Sequence, residues 1–174
     1  VPDEAGMRAA QETLAFIKTL QPGDHLIALV SGGGSSLLTL PAEGLDIEDV
    51  RATTQALLRS GAPIGQMNIV RKHLSAILGG HMAREAVARG AEVSAFLISD
   101  VTGDDPSSIA SGPCAPDEST FADALQIIFK QVLRGSALKR RSLGMLFLKK
   151  PRTIYWHRPM QALRQHLTIA RLMV

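Results

Sequence analysis

The sequence predicts a layered α/β fold with a mainly parallel sheet. Two short segments, residues 25–30 and 93–99, are almost entirely apolar, which is typical of strands buried on both faces of a parallel sheet. Segments in which apolar residues recur at helical spacing lie before, between and after these two strands. Because strands that alternate with helices pair in parallel, this order of segments favours the α/β class.

The helices are predicted from apolar spacing and from residues that start or stop a helix. Asp46 is the candidate N-cap of the second helix, Gly61 its C-terminal cap, and Asn68 the candidate cap of the third. A loop at 100–120, rich in Asp, Ser, Gly and Pro, is too long for a plain connector. Helices are predicted at residues 5–20, 46–60, 68–77 and 81–89. Residues 122–128 are predicted to start a further helix.

The bulk composition excludes several classes of protein. A chain of 174 residues with 20% charged residues and a mean hydropathy of +0.10 has the size and composition of one globular domain. A single cysteine, Cys114, excludes an intrachain disulfide and a cysteine-rich zinc site. No apolar run approaches the roughly 20 residues that span a bilayer, and the N-terminus has no signal-peptide pattern. We therefore expect a cytoplasmic protein without a membrane partner, and, because no initiating methionine is present, a chain that begins inside a larger one.

The net charge of +3 averages two unlike parts of the chain. Residues 1–124 hold all 16 acidic residues and 8 of the 19 basic ones, whereas residues 125–174 hold 11 basic residues and no acid. Three interpretations of this basic tail stay open: an arm that binds nucleic acid or a membrane, a divergent structural segment, or an out-of-frame translation. The basic residues show no base-stacking pattern, so nucleic acid is the weaker interpretation.

The glycine turn, Ser31-Gly32-Gly33-Gly34-Ser35-Ser36, directly follows the first strand. Three glycines let the backbone approach an anion closely, and N–H groups and serine hydroxyls can hold phosphate or carboxylate oxygens. The turn lacks the Gly-Lys-Ser/Thr ending of a P-loop and the third glycine of the dinucleotide fingerprint. A tight turn would need only one or two glycines, so we interpret it as an anion-binding turn.

Two further polar segments are candidates for chemistry. In the segment 68–75, Arg71 and Lys72 can neutralise a phosphate or carboxylate, and Asn68 and Ser75 can add hydrogen bonds. Three acids, Asp100, Asp104 and Asp105, begin at the carboxyl end of the second strand, where ligand sites of open α/β sheets gather. They suit Mg²⁺ or Mn²⁺, and one of them could instead act as general base toward a hydroxyl. In the loop 109–117, Ser111 and Gly112 are weaker candidates for anion binding.

Taken in order, these segments resemble the glycerate kinases associated with the MOFRL domain, a family that also carries the label hydroxypyruvate reductase. The resemblance covers about residues 1–128. It rests on motifs that recur in one order: Pro2-Asp3-Glu4-Ala5-Gly6, Leu29 to Leu37 with the glycine turn, Ser60 to Ile64, Asn68 to Ser75, Gly79-Gly80, Ser99-Asp100-Val101, Gly103-Asp104-Asp105, Ile109 to Pro113, and Pro116-Asp117 with Ser119-Thr120.

The resemblance implies an incomplete Rossmann-like, three-layer α/β domain at 1–128, with the basic tail at 129–174 and the C-terminal MOFRL domain absent. It implies ATP-dependent phosphorylation of D-glycerate, usually at the 2-hydroxyl, with a divalent metal. On this interpretation the glycine turn, Asn68, Ser75, Ser111 and Gly112 bind substrate or nucleotide. Arg71, Lys72, Asp100 and Asp104 are catalytic, and Asp100, Asp104 and Asp105 hold the metal.

Some features depart from the family, and two other functions stay open. Leu78 stands where the family usually has a lysine, and Gln66 where an acid is usual. An NAD(P)-dependent hydroxypyruvate reductase is the first alternative, although the incomplete dinucleotide fingerprint argues against it. The second alternative is a non-enzymatic protein that binds nucleic acid through the basic tail. The oligomeric state does not follow from the sequence.

Overall fold

A computed structural model describes residues 2–133 and 165–172 of the chain. Its sheet has three strands, β1 (His25–Ser31), β2 (Glu92–Ile98) and β3 (Leu167–Leu172), in the order β1-β2-β3. Both pairs of neighbours are parallel. The α/β class with a parallel sheet is confirmed, and the two strands predicted from apolar runs are present within one residue at each end. The predicted burial on both faces is wrong for β1, because Ile27 and Leu29 are exposed on the face opposite Ala28.

One face of the sheet packs against two helices, α1 (Glu4–Ile17) and α4 (His81–Ala88). Because side chains alternate along a strand, each strand sends every second residue into this core. β1 contributes Ala28, and β2 contributes Val93, Ala95 and Leu97. The carboxyl ends of β1 and β2 lie at the same edge of the sheet because Ser31 pairs with Ile98. This edge holds the predicted site.

A second core joins three further helices, α2 (Ile47–Arg59), α3 (Ile64–His73) and α5 (Phe121–Ile128), with a π-helical turn at Phe129–Leu133. α2 and α5 each begin with a capping box, Asp46 with Asp49 and Thr120 with Asp123. Buried side chains from all three helices fill this core: Leu57 from α2, Met67 and Val70 from α3, and Ala124 and Ile128 from α5.

The predicted bounds of α3 are wrong. The helix begins after Pro63, five residues upstream of the expected cap, so that Asn68 lies within the helix. The packing of Met67 into the second core favours a helix here, and that contact is not visible in the local pattern. The helix ends at His73 because the Ser75 hydroxyl accepts hydrogen bonds from the Ile77 and Leu78 N–H groups in place of helical carbonyls.

The basic tail lies largely outside the described residues. Its first residues form the π-helical turn at Phe129–Leu133, and β3 near its end is the third strand of the sheet. The sequence did not predict β3. The three interpretations of the tail stay predictions. Among the helices of the described part of the chain, none combines the length and apolar character needed to cross a membrane.

Replacing Gly112 with alanine tests whether the loop after β2 requires its left-handed backbone. Gly112 has φ +57°, and an added Cβ would lie 2.9 Å from the Ser107 backbone. We expect Gly112→Ala to lower the free energy of unfolding by about 1–3 kcal/mol, measured by urea unfolding. The control is Gly65→Ala in α3, where a Cβ meets nothing within 4 Å and a gain of about 0.5–1 kcal/mol is expected. Equal losses for both variants would contradict the prediction.

Candidate active site

The glycine turn lies at the carboxyl end of the sheet and contacts the loop that follows β2. The Gly32 N–H donates to the Ile98 carbonyl at 3.1 Å, which continues the β1–β2 pairing by one residue. Gly33 has a left-handed backbone with φ +77°, and Gly34–Ser36 form a 3-10 turn. A Cβ on Gly32 would overlap the Asp100 carboxyl group. Only glycine therefore lets the carboxylate of Asp100 lie directly against the turn.

Three consecutive residues in the loop after β2 have left-handed backbones: Ala110, Ser111 and Gly112, with φ of 48°, 57° and 57°. For Ala110 and Ser111 this conformation is strained, and it persists only where the surroundings hold it. Two backbone hydrogen bonds hold it here: the Gly79 N–H donates to the Ser111 carbonyl at 3.1 Å, and the Gly80 N–H to the Gly112 carbonyl at 2.7 Å. The paired glycines thus dock onto this left-handed segment.

The left-handed segment also contacts the glycine turn and α3. A Cβ on Gly34 would lie 3.5 Å from the Ala110 Cβ, which is ordinary van der Waals contact. The Ser111 hydroxyl, which is fully buried, donates to the Asn68 side-chain oxygen at 3.5 Å. Four sequence motifs that are far apart along the chain therefore meet at one place.

The three basic residues at the end of α3 point in different directions, since successive helical residues are about 100° apart. The Lys72 ammonium donates to the Asp117 carboxylate at 2.9 Å, and both side chains are at least nine-tenths buried. His73 is also buried and donates from Nδ1 to the Ile69 carbonyl at 2.9 Å. Arg71 has no hydrogen-bond or ion-pair partner within the described part of the chain, and burial lowers the pKa of its guanidinium.

Asp117 is a residue that sequence reasoning did not select. Its carboxylate accepts hydrogen bonds from the Lys72 ammonium, from the Ser119 N–H at 3.1 Å and from the Ser119 hydroxyl at 2.7 Å. It also lies 3.9 Å from the His73 ring. The available signal was an aspartate two residues before a serine, which indicates an Asx turn but not its buried cation. In the structure, Lys72 is the counterion of Asp117, and its predicted catalytic role stays a prediction.

A cavity of about 740 Å³ opens beside the Lys72–Asp117 pair. Its volume is within the range of small-molecule sites. Its wall is formed by α3, by the loop after β2, and by the strand β3. The cavity therefore exists only in the folded chain. The polar residues that line it are Gln66, Asn68, Lys72, Asp105, Ser107, Ser108, Asp117, Glu118 and Ser119.

The three aspartates predicted to act together have different surroundings. Asp100 is exposed and lies against the glycine turn, and Asp104 has a left-handed backbone with φ +51°. Asp105 accepts hydrogen bonds from the hydroxyl groups of Ser107 and Ser108 at 2.7 and 2.8 Å. Partial burial raises its pKa, but these hydrogen bonds and the charge of Lys72 outweigh burial, so the pKa of Asp105 is lowered. Asp105 therefore stabilises its own turn.

Residues 2–133 and 165–172 contain no group of three or more His, Cys, Asp or Glu side chains that could hold a metal ion. Asp100, Asp104 and Asp105, for which the resemblance implied a metal site, therefore do not form such a group in the described part of the chain. Oxygen ligands of Mg²⁺ must surround the ion closely, and a carboxylate already bonded to two serines is less available to it. A shared metal site of the three aspartates stays a prediction.

A second, smaller cavity lies between the glycine turn and α3. It is lined by Ser35 and Ser36 of the turn, by Arg71 and Ser75, and by Leu78. Leu78, which stands where the resemblance expects a lysine, is only 4% exposed and packs into the first core. Arg71 is therefore the cationic side chain that lines this cavity. Ser75, which the predicted helix 68–77 included, lies beyond the end of α3 and reaches the cavity from the following turn.

The fold and these loops define an α/β protein with a candidate polar site at the carboxyl ends of parallel strands, where such folds bind their ligands. The family model described as domain of unknown function DUF4147 matches residues 1–141, and the chain belongs to this family. This match extends past residue 128, at which the resemblance described from the sequence motifs ends.

Several known proteins are similar to the chain. A protein of Agrobacterium vitis named as a hydroxypyruvate reductase is 55% identical over 128 residues, which are 74% of this chain and 29% of the relative. The D-glycerate 2-kinase of Thermotoga maritima is 43% identical over 143 residues, which are 82% of this chain and 34% of the relative. The crystal structure of a glycerate kinase from Thermotoga maritima superposes with a TM-score of 0.77 and 37% identity, covering 98% of this chain and 38% of that one. The chain therefore spans about a third of the length of the curated relatives it matches.

The Lys72–Asp117 pair leads to a prediction about stability. Asp117→Asn keeps the shape and the hydrogen bonds with Ser119 but leaves the buried Lys72 ammonium without a counterion. We expect the free energy of unfolding to fall by about 3–5 kcal/mol. The double variant Lys72→Met with Asp117→Asn removes both charges and should recover most of this loss. Urea unfolding of both proteins measures the difference, and a change below about 1 kcal/mol for Asp117→Asn would contradict the pairing.

Proposed function

We propose that the full-length protein carrying this chain is an ATP-dependent kinase that phosphorylates D-glycerate, at the 2-hydroxyl. The observation that carries the proposal is the position of Arg71: a half-buried guanidinium without a partner in the described part of the chain, lining one cavity with the serines of the glycine turn. Both glycerate and ATP present oxyanions, which are the groups that a guanidinium binds. The names of the Thermotoga relative and of the neighbouring crystal structure support the same substrate.

The residues of this chain supply positioning and charge, which are the main requirements of phosphoryl transfer. The glycine turn presents backbone and serine donors at the end of β1, and Arg71 adds a fixed positive charge to the same wall. The left-handed segment with Ser111 and Gly112 is bonded to the paired glycines, and it contacts the glycine turn at Gly34 through Ala110. Asn68 contacts Ser111 from α3 and also lines the larger cavity, where it can orient a bound ligand.

Asp100 is the strongest candidate for the general base in this proposal. Its carboxylate is exposed, lies against Gly32, and is not bonded to another side chain among the described residues. A carboxylate within reach of the substrate hydroxyl accepts its proton as the hydroxyl oxygen attacks the terminal phosphorus of ATP. Asp104 lies four residues further along the same loop and is a second candidate for this role. Asp105, in contrast, is occupied by Ser107 and Ser108.

The proposal includes ATP as phosphoryl donor and a cytoplasmic location, where a kinase of a small metabolite meets ATP. A divalent cation, Mg²⁺ or Mn²⁺, would neutralise phosphate charge in a kinase of this type. Since the described carboxylates form no group that could hold it, no step is assigned to a metal here. Arg71 and the serines of the glycine turn support an oxyanion as the substrate, and the exposed Asp100 supports one that carries a hydroxyl.

A second candidate function is NAD(P)-dependent reduction of hydroxypyruvate. The name of the Agrobacterium vitis relative, which is 55% identical to the chain over 128 residues, is the observation that favours it. The glycine turn gives it little support, because position 37 is Leu37 where the dinucleotide fingerprint has its third glycine. The two candidates share the anion-binding wall and differ in the cofactor.

Two assays on the full-length protein distinguish the candidates. A kinase releases ADP when ATP and D-glycerate are supplied together, and phosphorus NMR of the product identifies the carbon that received the phosphate. A reductase consumes NADH or NADPH when hydroxypyruvate is supplied. NAD(P)H consumption without ADP release would overturn the kinase proposal, and ADP release without NAD(P)H consumption would remove the reductase.

Arg71→Met tests the role of the unpaired guanidinium in this reaction. We expect kcat/KM for D-glycerate to fall roughly 100-fold, as for the loss of one donor that stabilises charge in the transition state. Arg71→Lys should recover only part of the activity, since an ammonium cannot bind an oxyanion through two parallel N–H groups. The matched control is Arg59→Met at the exposed end of α2, which should leave kcat/KM unchanged. A similar kcat/KM for both methionine variants would contradict the assignment.

A further inference from the structure

The hydroxyl group of Thr39 is buried and has no hydrogen-bond partner in the described part of the chain. The residue is 6% exposed and follows the 3-10 turn that ends the glycine turn. A buried hydroxyl without a partner destabilises a fold, because it has lost its hydrogen bonds to water and gained none. We therefore expect the Thr39 hydroxyl to form a hydrogen bond with a group other than the described residues of the protein.

Two backbone hydrogen bonds fix the position of Thr39 relative to the end of α3. The Ala76 N–H donates to the Leu40 carbonyl and the Ala42 N–H to the Leu74 carbonyl, each at 2.8 Å. The segment after Thr39 thus runs antiparallel to the segment that carries Ser75, and an isolated bridge joins Pro41 to Ser75. Thr39 and Ser75 are held on the wall of the smaller cavity, which Arg71 also lines.

Ser75 provides a second donor in the same cavity. Its oxygen accepts hydrogen bonds from the N–H groups of Ile77 and Leu78, at 3.2 and 3.1 Å. The hydroxyl hydrogen is not used in these two bonds, and it has no acceptor among the described residues. Ser75 is 5% exposed, so bulk water does not satisfy it. Two buried hydroxyls with unused hydrogens and one unpaired guanidinium thus line one small cavity.

The chemistry of these groups selects the ligand. The guanidinium can only donate hydrogen bonds, and both hydroxyls have a hydrogen to donate, so the ligand must present acceptors. A water molecule would satisfy a hydroxyl but would leave the charge of Arg71 unbalanced. The cavity, of about 20 Å³, has room for about one water-sized atom, which corresponds to one oxygen of a larger group. An anionic oxygen fulfils both requirements.

We propose that Thr39, together with Ser75 and Arg71, forms a subsite that receives one oxygen of an oxyanion, either a carboxylate or a phosphoryl group. Thr39 is then a specificity-determining residue of the site. This inference adds a specific ligand contact to the proposed function. It rests on that function only where D-glycerate is taken as the carboxylate ligand. Apolar side chains, among them Val50, Leu74 and Leu78, also line the cavity and limit the access of water, which strengthens the interaction of the charged groups.

Thr39→Val separates a ligand role from a structural one, because valine has nearly the same shape and lacks the hydroxyl. Without ligand we expect Tm to stay the same or rise, since an unpartnered buried hydroxyl is removed. Binding is measured by isothermal titration calorimetry on the full-length protein, with inorganic phosphate and D-glycerate titrated separately. We expect Kd to rise about tenfold or more for the ligand that occupies the subsite. Thr39→Ser, which keeps the hydroxyl, should restore most of the affinity.

The matched control is Thr53→Val in α2. Thr53 is 1% exposed, but its hydroxyl donates to the Asp49 carbonyl at 2.8 Å and does not line this cavity. Thr53→Val should lower Tm and leave Kd unchanged, the opposite of the pattern expected for Thr39→Val. A weaker affinity for D-glycerate alone identifies a carboxylate subsite, and a weaker affinity for phosphate alone identifies a phosphoryl subsite.

Unchanged Kd values for both ligands in Thr39→Val would overturn the subsite, as would a fall in Tm equal to that of Thr53→Val. These outcomes are distinct from a failure of the proposed function. A full-length protein that shows no ATP-dependent turnover of D-glycerate, yet binds an oxyanion through Thr39, retains the subsite and loses the kinase reaction. Kinase activity with a KM for D-glycerate and for ATP that Thr39→Val does not change retains the reaction and removes the subsite.

Discussion

The left-handed backbone of Ala110, Ser111 and Gly112 is the constraint on which the arrangement of the site depends. Its two carbonyls accept the N–H groups of Gly79 and Gly80, so the loop after β2 is bound to the turn that precedes α4. The same three residues contact the glycine turn on one side and α3 on the other. Two residues with a Cβ adopt a conformation that is unfavourable for them, and the strain is balanced by contacts with three other parts of the chain.

The end of α3 combines two residues that stabilise the fold with one that we propose binds a ligand. Arg71, Lys72 and His73 are adjacent in sequence but are separated by about 100° around the helix axis. Lys72 forms a buried pair with Asp117, and His73 is bonded to the carbonyl of Ile69. Arg71, which lies on the side of the glycine turn, has no partner among the described residues. Lys72 and His73 thus both contact Asp117 in the loop after β2, whereas Arg71 is the residue that we propose binds a ligand.

This division explains why a simple count of charges around the site misleads. Asp117 compensates the charge of Lys72, and Asp105 is bonded to two serines, so neither carboxylate offsets Arg71. The charged side chains that remain near the glycine turn are those of Arg71, in the small cavity, and of the exposed Asp100, beside Gly32. In the proposed reaction, the oxyanion of a hydroxy acid would lie next to Arg71 and its hydroxyl next to Asp100.

The sequence by itself determined the α/β class, both strands of the site, the cap at Asp46 and the location of the glycine turn and the acidic loop at the ends of neighbouring strands. These features are local, because apolar periodicity and turn residues act over a few positions. Only the tertiary structure decided which polar groups are satisfied: the partner of Lys72 is 45 residues away, and Thr39 is exceptional solely because nothing in the described region reaches its hydroxyl. The start of α3 and the strand β3 were decided in the same way, because packing against distant elements selected them over their local patterns.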